Sequence, residues 1–168
     1  MTERRRTHRS HLSYIDKSRE YYSASGYEQP YGWATHDDAP FAALAKPLSE
    51  CRVGLVTTSY FLPSDFVYEV PSDLPRVPDA RPVDDVEGLD NQYLFWAKDE
   101  THTDDLGSFL PITQMQAMVD QGRIGSLSPR YYCLPTQYSH RLTERRDAPQ
   151  IFQWMVEDEV DVAVMVPL

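Results

Sequence analysis

Val53-Gly54-Leu55-Val56 is a short unbroken apolar run that ends in the polar Thr57-Thr58-Ser59. Runs of this length, rich in β-branched residues, mark strands buried on both faces of a parallel sheet. Asp161 to Val166 repeats the pattern near the end of the chain and reads as a fully buried strand. Asn91 to Trp96 predicts a further strand. Helical spacing appears elsewhere. Ile112, Met115, Met118 and Val119 recur on one face behind Pro111, whose missing N–H costs little at a helix start, and Gly122 closes the run. Ala148, Ile151, Phe152 and Met155 share the face of a second helix, flanked by Trp154. That helix is expected to start at Thr143, with Glu144 and Asp147 near its positive end. A more ragged stripe, Ile15 with Arg19 and Tyr22, predicts a helix over Leu12 to Tyr22 that Gly26 stops. Helix followed by strand is half of a βαβ unit. The expected fold is α/β, a Rossmann-like, mostly parallel sheet with flanking helices, incomplete within these residues.

The remaining segments fill in the organisation. Residues 1–11 are expected to be a disordered tail, and 12–168 a single α/β domain. Tyr27 to Pro40 reads as an extended arm pinned by aromatic rings, and Pro63 to Gly88 as irregular chain. Ile124 to Leu127 is a bend or a strand stub, and Ser128 to Cys133 an extended segment. There is no internal repeat.

Composition narrows the function. A net charge of −10 argues against nucleic acid as a partner, because phosphate binding needs a basic face. No apolar run is long enough for a membrane helix, and none follows the basic N-terminus as a secretory signal requires. The two cysteines, Cys51 and Cys133, lack the number and spacing of a zinc site, and a cytoplasmic location with reduced thiols follows.

Candidate chemistry falls in three places. Ligands of open α/β sheets sit beyond the carboxyl ends of strands, which marks Thr58 and Ser59. No Gly-rich phosphate loop follows them, since Tyr60-Phe61-Leu62-Pro63 is bulky. The polar run Lys98 to Asp105 is the densest set of ligand or acid–base groups, with His102 and Asp104 as proton handlers. Three well-spaced metal ligands are not evident there, which disfavours a metal hydrolase. Arg130, with Tyr131 beside it, offers a guanidinium that either holds a substrate carboxylate in two parallel bonds or forms a surface salt bridge, and an adjacent arginine would lower the pKa of Cys133 if that residue is a nucleophile and not a structural thiol. Cys51, at the amino end of its strand, reads as a packed residue.

Three pieces of the chain together resemble the selenoprotein B family of glycine, sarcosine, betaine and D-proline reductases. They are Tyr14 to Tyr22 with Leu44-Ala45-Lys46-Pro47-Leu48 and the strand from Val53; Asp105 to Tyr131, with Gly122-Arg123-Ile124-Gly125-Ser126-Leu127-Ser128-Pro129-Arg130 its most specific part; and the helix after Thr143 leading into Asp161 to Pro167. The resemblance implies a thiol-consuming reductase. A selenocysteine or cysteine attacks a small amino-acid-like substrate activated by a carbonyl (pyruvoyl) group on a partner subunit, and dithiols regenerate it. It also implies assembly with other reductase subunits or with further copies. The reactive residue is expected just after the strand ending at Val166, beyond Leu168, as a selenocysteine if codon 169 is UGA. The family's His-rich segment is replaced here by Leu94-Phe95-Trp96-Ala97-Lys98. The competing expectation is an accessory or binding subunit that kept the fold and lost the redox residue.

Overall fold

The computed structural model describes residues 14–27, 29, 32, 34, 37–38, 42–62, 76–92, 94, 103–136 and 139–168. The chain divides into two units, 1–41 and 42–168. In the first, α1 spans Tyr14–Ala24, two residues beyond the expected end. Gly26 then adopts a left-handed φ of 85°, which a side chain would oppose, and turns the chain so that Tyr27 meets Tyr22 edge to face at 5.6 Å. The expected tail, residues 1–11, lies outside the described residues.

The second unit is built on β1 (Arg52–Thr57), five of whose six residues are buried. Further along come β2 (Tyr60–Phe61), β3 (Asp79–Pro82), β4 (Leu89–Asp90), α2 (Ile112–Asp120), β5 (Ser126–Leu127) and β6 (Arg130–Cys133). A helical run then passes through α3 (His140–Leu142), a π-helical stretch (Thr143–Asp147) and α4 (Ala148–Glu157), and β7 (Val162–Val166) follows. β1 is flanked on one side by β7 and on the other by β5 and β6, all parallel to it, with β3 antiparallel on the outer side of β6. The architecture is thus α/β with a mostly parallel sheet. β2 and β4 form a separate antiparallel pair.

The sheet's two faces carry two cores. On one, Leu55, Tyr131 and Cys133 pack with Leu110, Phe109, Ile112 and Met115 from α2 and the turn before it. On the other, Val56 and Tyr132 pack with Ile151, Trp154 and Met155 of α4. Alternation along β6 therefore sends neighbouring tyrosines to opposite cores.

Three expectations are corrected. The last strand is not fully buried: its residues alternate between half-buried and exposed. Among the described residues β7 is an edge strand, and the strand residues in the α4 core come from β1, β6 and β3 (Val56, Tyr132, Ala80), with none from β7. Asn91, Gln92 and Leu94 are not in a strand. The Asp90 carboxylate accepts from the Gln92 N–H at 2.6 Å and Leu94 N–H donates to Asn91 at 2.9 Å, which turns the chain instead of extending it. Tyr93, Phe95 and Trp96 lie outside the described residues. The final helix begins at His140, not Thr143, because Ser139 caps it. Its next turns widen into π geometry just ahead of Pro149, which lacks the N–H that a regular turn would donate to Arg145.

The interior of Gly122 to Tyr132 now has a physical account. Gly122, at φ 68°, and Arg123 return N–H bonds to Val119 and Met118 and close α2. Gly125 passes so close to the backbone of Glu50 and Cys51 that a Cβ would lie 2.6 Å from the Glu50 carbonyl carbon. Gly125 N–H donates to Cys51 at 3.0 Å and so delivers β5 into register with β1.

Candidate functional site

A row of residues crosses the sheet in register at its carboxyl edge: Val166, Thr57, Cys133 and Asp79. The chain beyond each parallel strand gathers there. Leu134 N–H donates to Thr57 at 2.8 Å, and Leu168 N–H donates to the Thr58 hydroxyl at 2.8 Å. The Ser59 N–H bonds the Thr57 hydroxyl at 3.2 Å, folding the end of β1 over. The place is the one an α/β sheet offers to ligands.

Beside this row opens a cleft of about 200 Å³, lined by Ser59, Tyr60, Phe61, Asp79, Arg81 and Cys133 among others. Ser59 is 1 % exposed, and its hydroxyl has no hydrogen-bond partner among the described residues. Asp79 bonds its own strand at Ala80 N–H (2.9 Å) and the Arg81 guanidinium at 2.7 Å. Arg81 also reaches Asp85 at 3.4 Å and lies over the Phe61 ring, 4.2 Å from its centroid. The paired aspartates raise the Arg81 pKa and keep it charged. None of Phe61, Asp79 and Arg81 was singled out from sequence; the only signal was the two-residue spacing of Asp79 and Arg81 inside a segment read as irregular.

Cys133 lies at this edge but is not activated. Burial pushes its thiol up to about 12, Asp79 adds to the effect, and Arg81 opposes it weakly. The arginine expected to lower it, Arg130, points to the opposite face of β6. Cys51, also buried, donates its S–H to the Pro47 carbonyl at the amino end of β1. Tyr131 is fully buried; desolvation raises its pKa and its hydroxyl donates to the Asp85 carbonyl at 2.6 Å.

Arg130 belongs to a second polar cluster, on the α4 face. Its guanidinium clamps Asp158 through two bonds of 2.8 and 3.0 Å and reaches Glu157 at 3.3 Å. Tyr132 donates to the same Asp158 at 2.7 Å and meets Ser128 at 3.0 Å. Burial alone would raise the Asp158 carboxyl; the bonds from Arg130 and Tyr132 outweigh it and hold the pKa below its ordinary value. The carboxylate that Arg130 holds is therefore the chain's own. Arg52 joins in, donating to the Asp158 carbonyl at 2.7 Å, and Lys46 bonds Asp161 at 2.7 Å. The cluster anchors the turn between α4 and β7.

The structure thus brings Thr58, Ser59 and Cys133 to one edge and sets Arg130 apart from them. His102 lies outside the described residues. Asp104 is exposed, next to Asp105, which caps the 3-10 turn Leu106–Ser108 by accepting from Gly107 N–H at 2.8 Å. Among the described residues no group of three His, Cys, Asp or Glu side chains is placed to hold a metal, and no helix is long and apolar enough to cross a membrane. The chain matches no protein-family model, no curated protein and no solved structure.

Proposed function

We propose that this chain is a component of a thiol- or selenol-dependent reductase of the amino-acid reductase type, working on a Rossmann-like sheet with a disulfide as acceptor. The observation that carries the reading is the register row at the carboxyl edge, which sets the end of β7 beside Thr57 and Thr58. A selenolate or thiolate presented just past β7 would stand at this carboxyl edge. In the reaction the resemblance implies, it attacks a substrate activated by a carbonyl group on a partner subunit, and dithiols return it to the reduced state. Thr58 and Ser59 line the substrate's approach. His102 and Asp104 are the proposed proton handlers. Two unpaired cysteines accord with a reducing, cytoplasmic setting.

A second reading is favoured by one observation. Both thiols of the chain are buried, and Cys133 is pushed up to about 12, so neither is a ready nucleophile. An accessory subunit that kept the fold and lost the redox residue has this character.

The two readings separate on the gene past codon 168 and on the mass of the natural protein. The reductase reading expects UGA or a cysteine codon followed by an open frame, and a natural chain heavier than 168 residues that carries selenium or a rapidly alkylated thiol. A natural protein of 168 residues with no fast-reacting thiol leaves the accessory role.

A further inference from the structure

We propose that Asp79 and Arg81, with Ser59, bind the substrate as a free zwitterion: the Arg81 guanidinium takes its carboxylate and the Asp79 carboxylate takes its ammonium. The inference rests on the reading that an amino-acid-like substrate enters at this edge. It names the residues that read the two charges, and the form in which the substrate is held before a carbonyl group engages its nitrogen.

Charge comes first. Asp79 and Arg81 are the charged residues that line the cleft, and they balance each other. Both side chains are partly exposed, and they meet at 2.7 Å. A lone cation or a lone anion therefore meets one attractive and one repulsive neighbour, and the two contributions largely cancel. A zwitterion laid head to tail across the pair meets attraction at both ends. Capacity comes second. Arg81 gives its Nε to Asp79 and its Nη1 to Asp85, which lies outside the lining, and among the described residues its Nη2 has no partner. Asp79 accepts one bond at each oxygen, from Ala80 N–H and from Arg81, and each oxygen can accept another. The Phe61 ring, its centroid 4.2 Å from the guanidinium carbon, supports that group before a ligand arrives. The third point is Ser59. Its hydroxyl, buried and unpartnered among the described residues, can donate to a carboxylate or accept from an ammonium, so either end of a zwitterion removes the cost of leaving it unpaired. The cleft, at about 200 Å³, suits a small molecule, and Val77, Pro78 and Pro135 offer apolar surface to an alkyl side chain. The other candidate guanidinium, Arg130, lies on the opposite face and already holds Asp158.

The test uses three probes of one size and one branched carbon skeleton: valine, which carries both charges, valinamide, which carries only the positive one, and 2-hydroxy-3-methylbutanoate, which carries only the negative one. Each is used as the racemate, so that handedness does not decide the result. Each is titrated into the isotopically labelled full chain at low salt and about pH 6, where an α-amino group is charged, reading the backbone amide signals of Ser59, Arg81 and Cys133. Valine is expected to move these signals and to bind about tenfold tighter than either singly charged probe. Arg81→Gln is expected to shift the preference to valinamide, and Asp79→Asn to shift it to the hydroxy acid. Ser59→Ala is expected to weaken valine several-fold and keep the order of the three. The proposal is overturned if either singly charged probe binds the unmutated chain as tightly as valine, if no probe moves these signals, or if the two charge variants fail to shift the preference in opposite directions. The comparison on the unmutated chain decides by itself, so a misfolded variant does not rescue the idea. Binding is read without turnover. A chain that favours the zwitterion yet supports no reduction with its partners loses the reductase reading alone, and one that supports reduction without this preference loses this inference alone.

Discussion

Cys133 and Arg130 stand three positions apart in sequence and answer to different surroundings. Alternation puts them on opposite faces of β6, so the cysteine takes its pKa from burial and the arginine takes its partner from the α4–β7 turn. With the thiol pushed from 9.0 to about 12, alkylation of Cys133 by iodoacetamide at pH 7 is expected to run about a thousandfold slower than that of a free thiol. Mass spectrometry of the intact chain measures this, and a rate near the free-thiol value would contradict the burial argument. For Asp158, Asp158→Asn removes the charge and one of the two oxygens that accept from Arg130 and Tyr132. A loss of about 1–3 kcal/mol in denaturant unfolding is expected. Neither partnership was legible in the sequence, because Asp79 and Asp158 come from distant segments that only the fold brings to β6.

At the scale of elements, the pattern of apolar positions found β1, β7, α2 and α4 and the closing role of Gly122. It missed how completely β7 is covered. Periodicity reports which residues are apolar, whereas cover depends on where α4 lands. The difference is measurable: Val164 packs into the α2-side core, and Met165 is 67 % exposed on the other face. Val164→Lys is expected to destabilise by about 2–4 kcal/mol, and Met165→Lys to leave the melting temperature close to wild type. The short β5 depends on a single position. Gly125→Ala forces its Cβ against the Glu50 backbone, which has no rotamer with which to yield. Destabilisation of about 1–3 kcal/mol is expected by the same measurement.

For the whole second unit, stability should turn on acid pH at one end of the sheet. Asp158 and Asp161 both have lowered pKa values, Asp161 chiefly through its bonds from Lys46 and the Arg52 N–H. A lowered carboxyl contributes stability that is fully present above the unfolded pKa of about 3.9 and is lost as pH falls through the folded value. Thermal melts are therefore expected to hold level from pH 7 to about 5 and to fall below about 4, with Asp158→Asn flattening part of that fall. The sequence by itself determined the fold class and the long elements, because burial of an apolar run or stripe is a local demand that the run states in its own spacing. It also marked the carboxyl edge, since a strand with a polar tail has only one such end. Tertiary structure alone decided the register row Val166, Thr57, Cys133 and Asp79, the closing of Arg130 on Asp158, and the cleft beside Ser59. Each depends on pairing between segments far apart in the chain, and hydrogen-bond register and charge partnership leave no periodic trace in either segment alone.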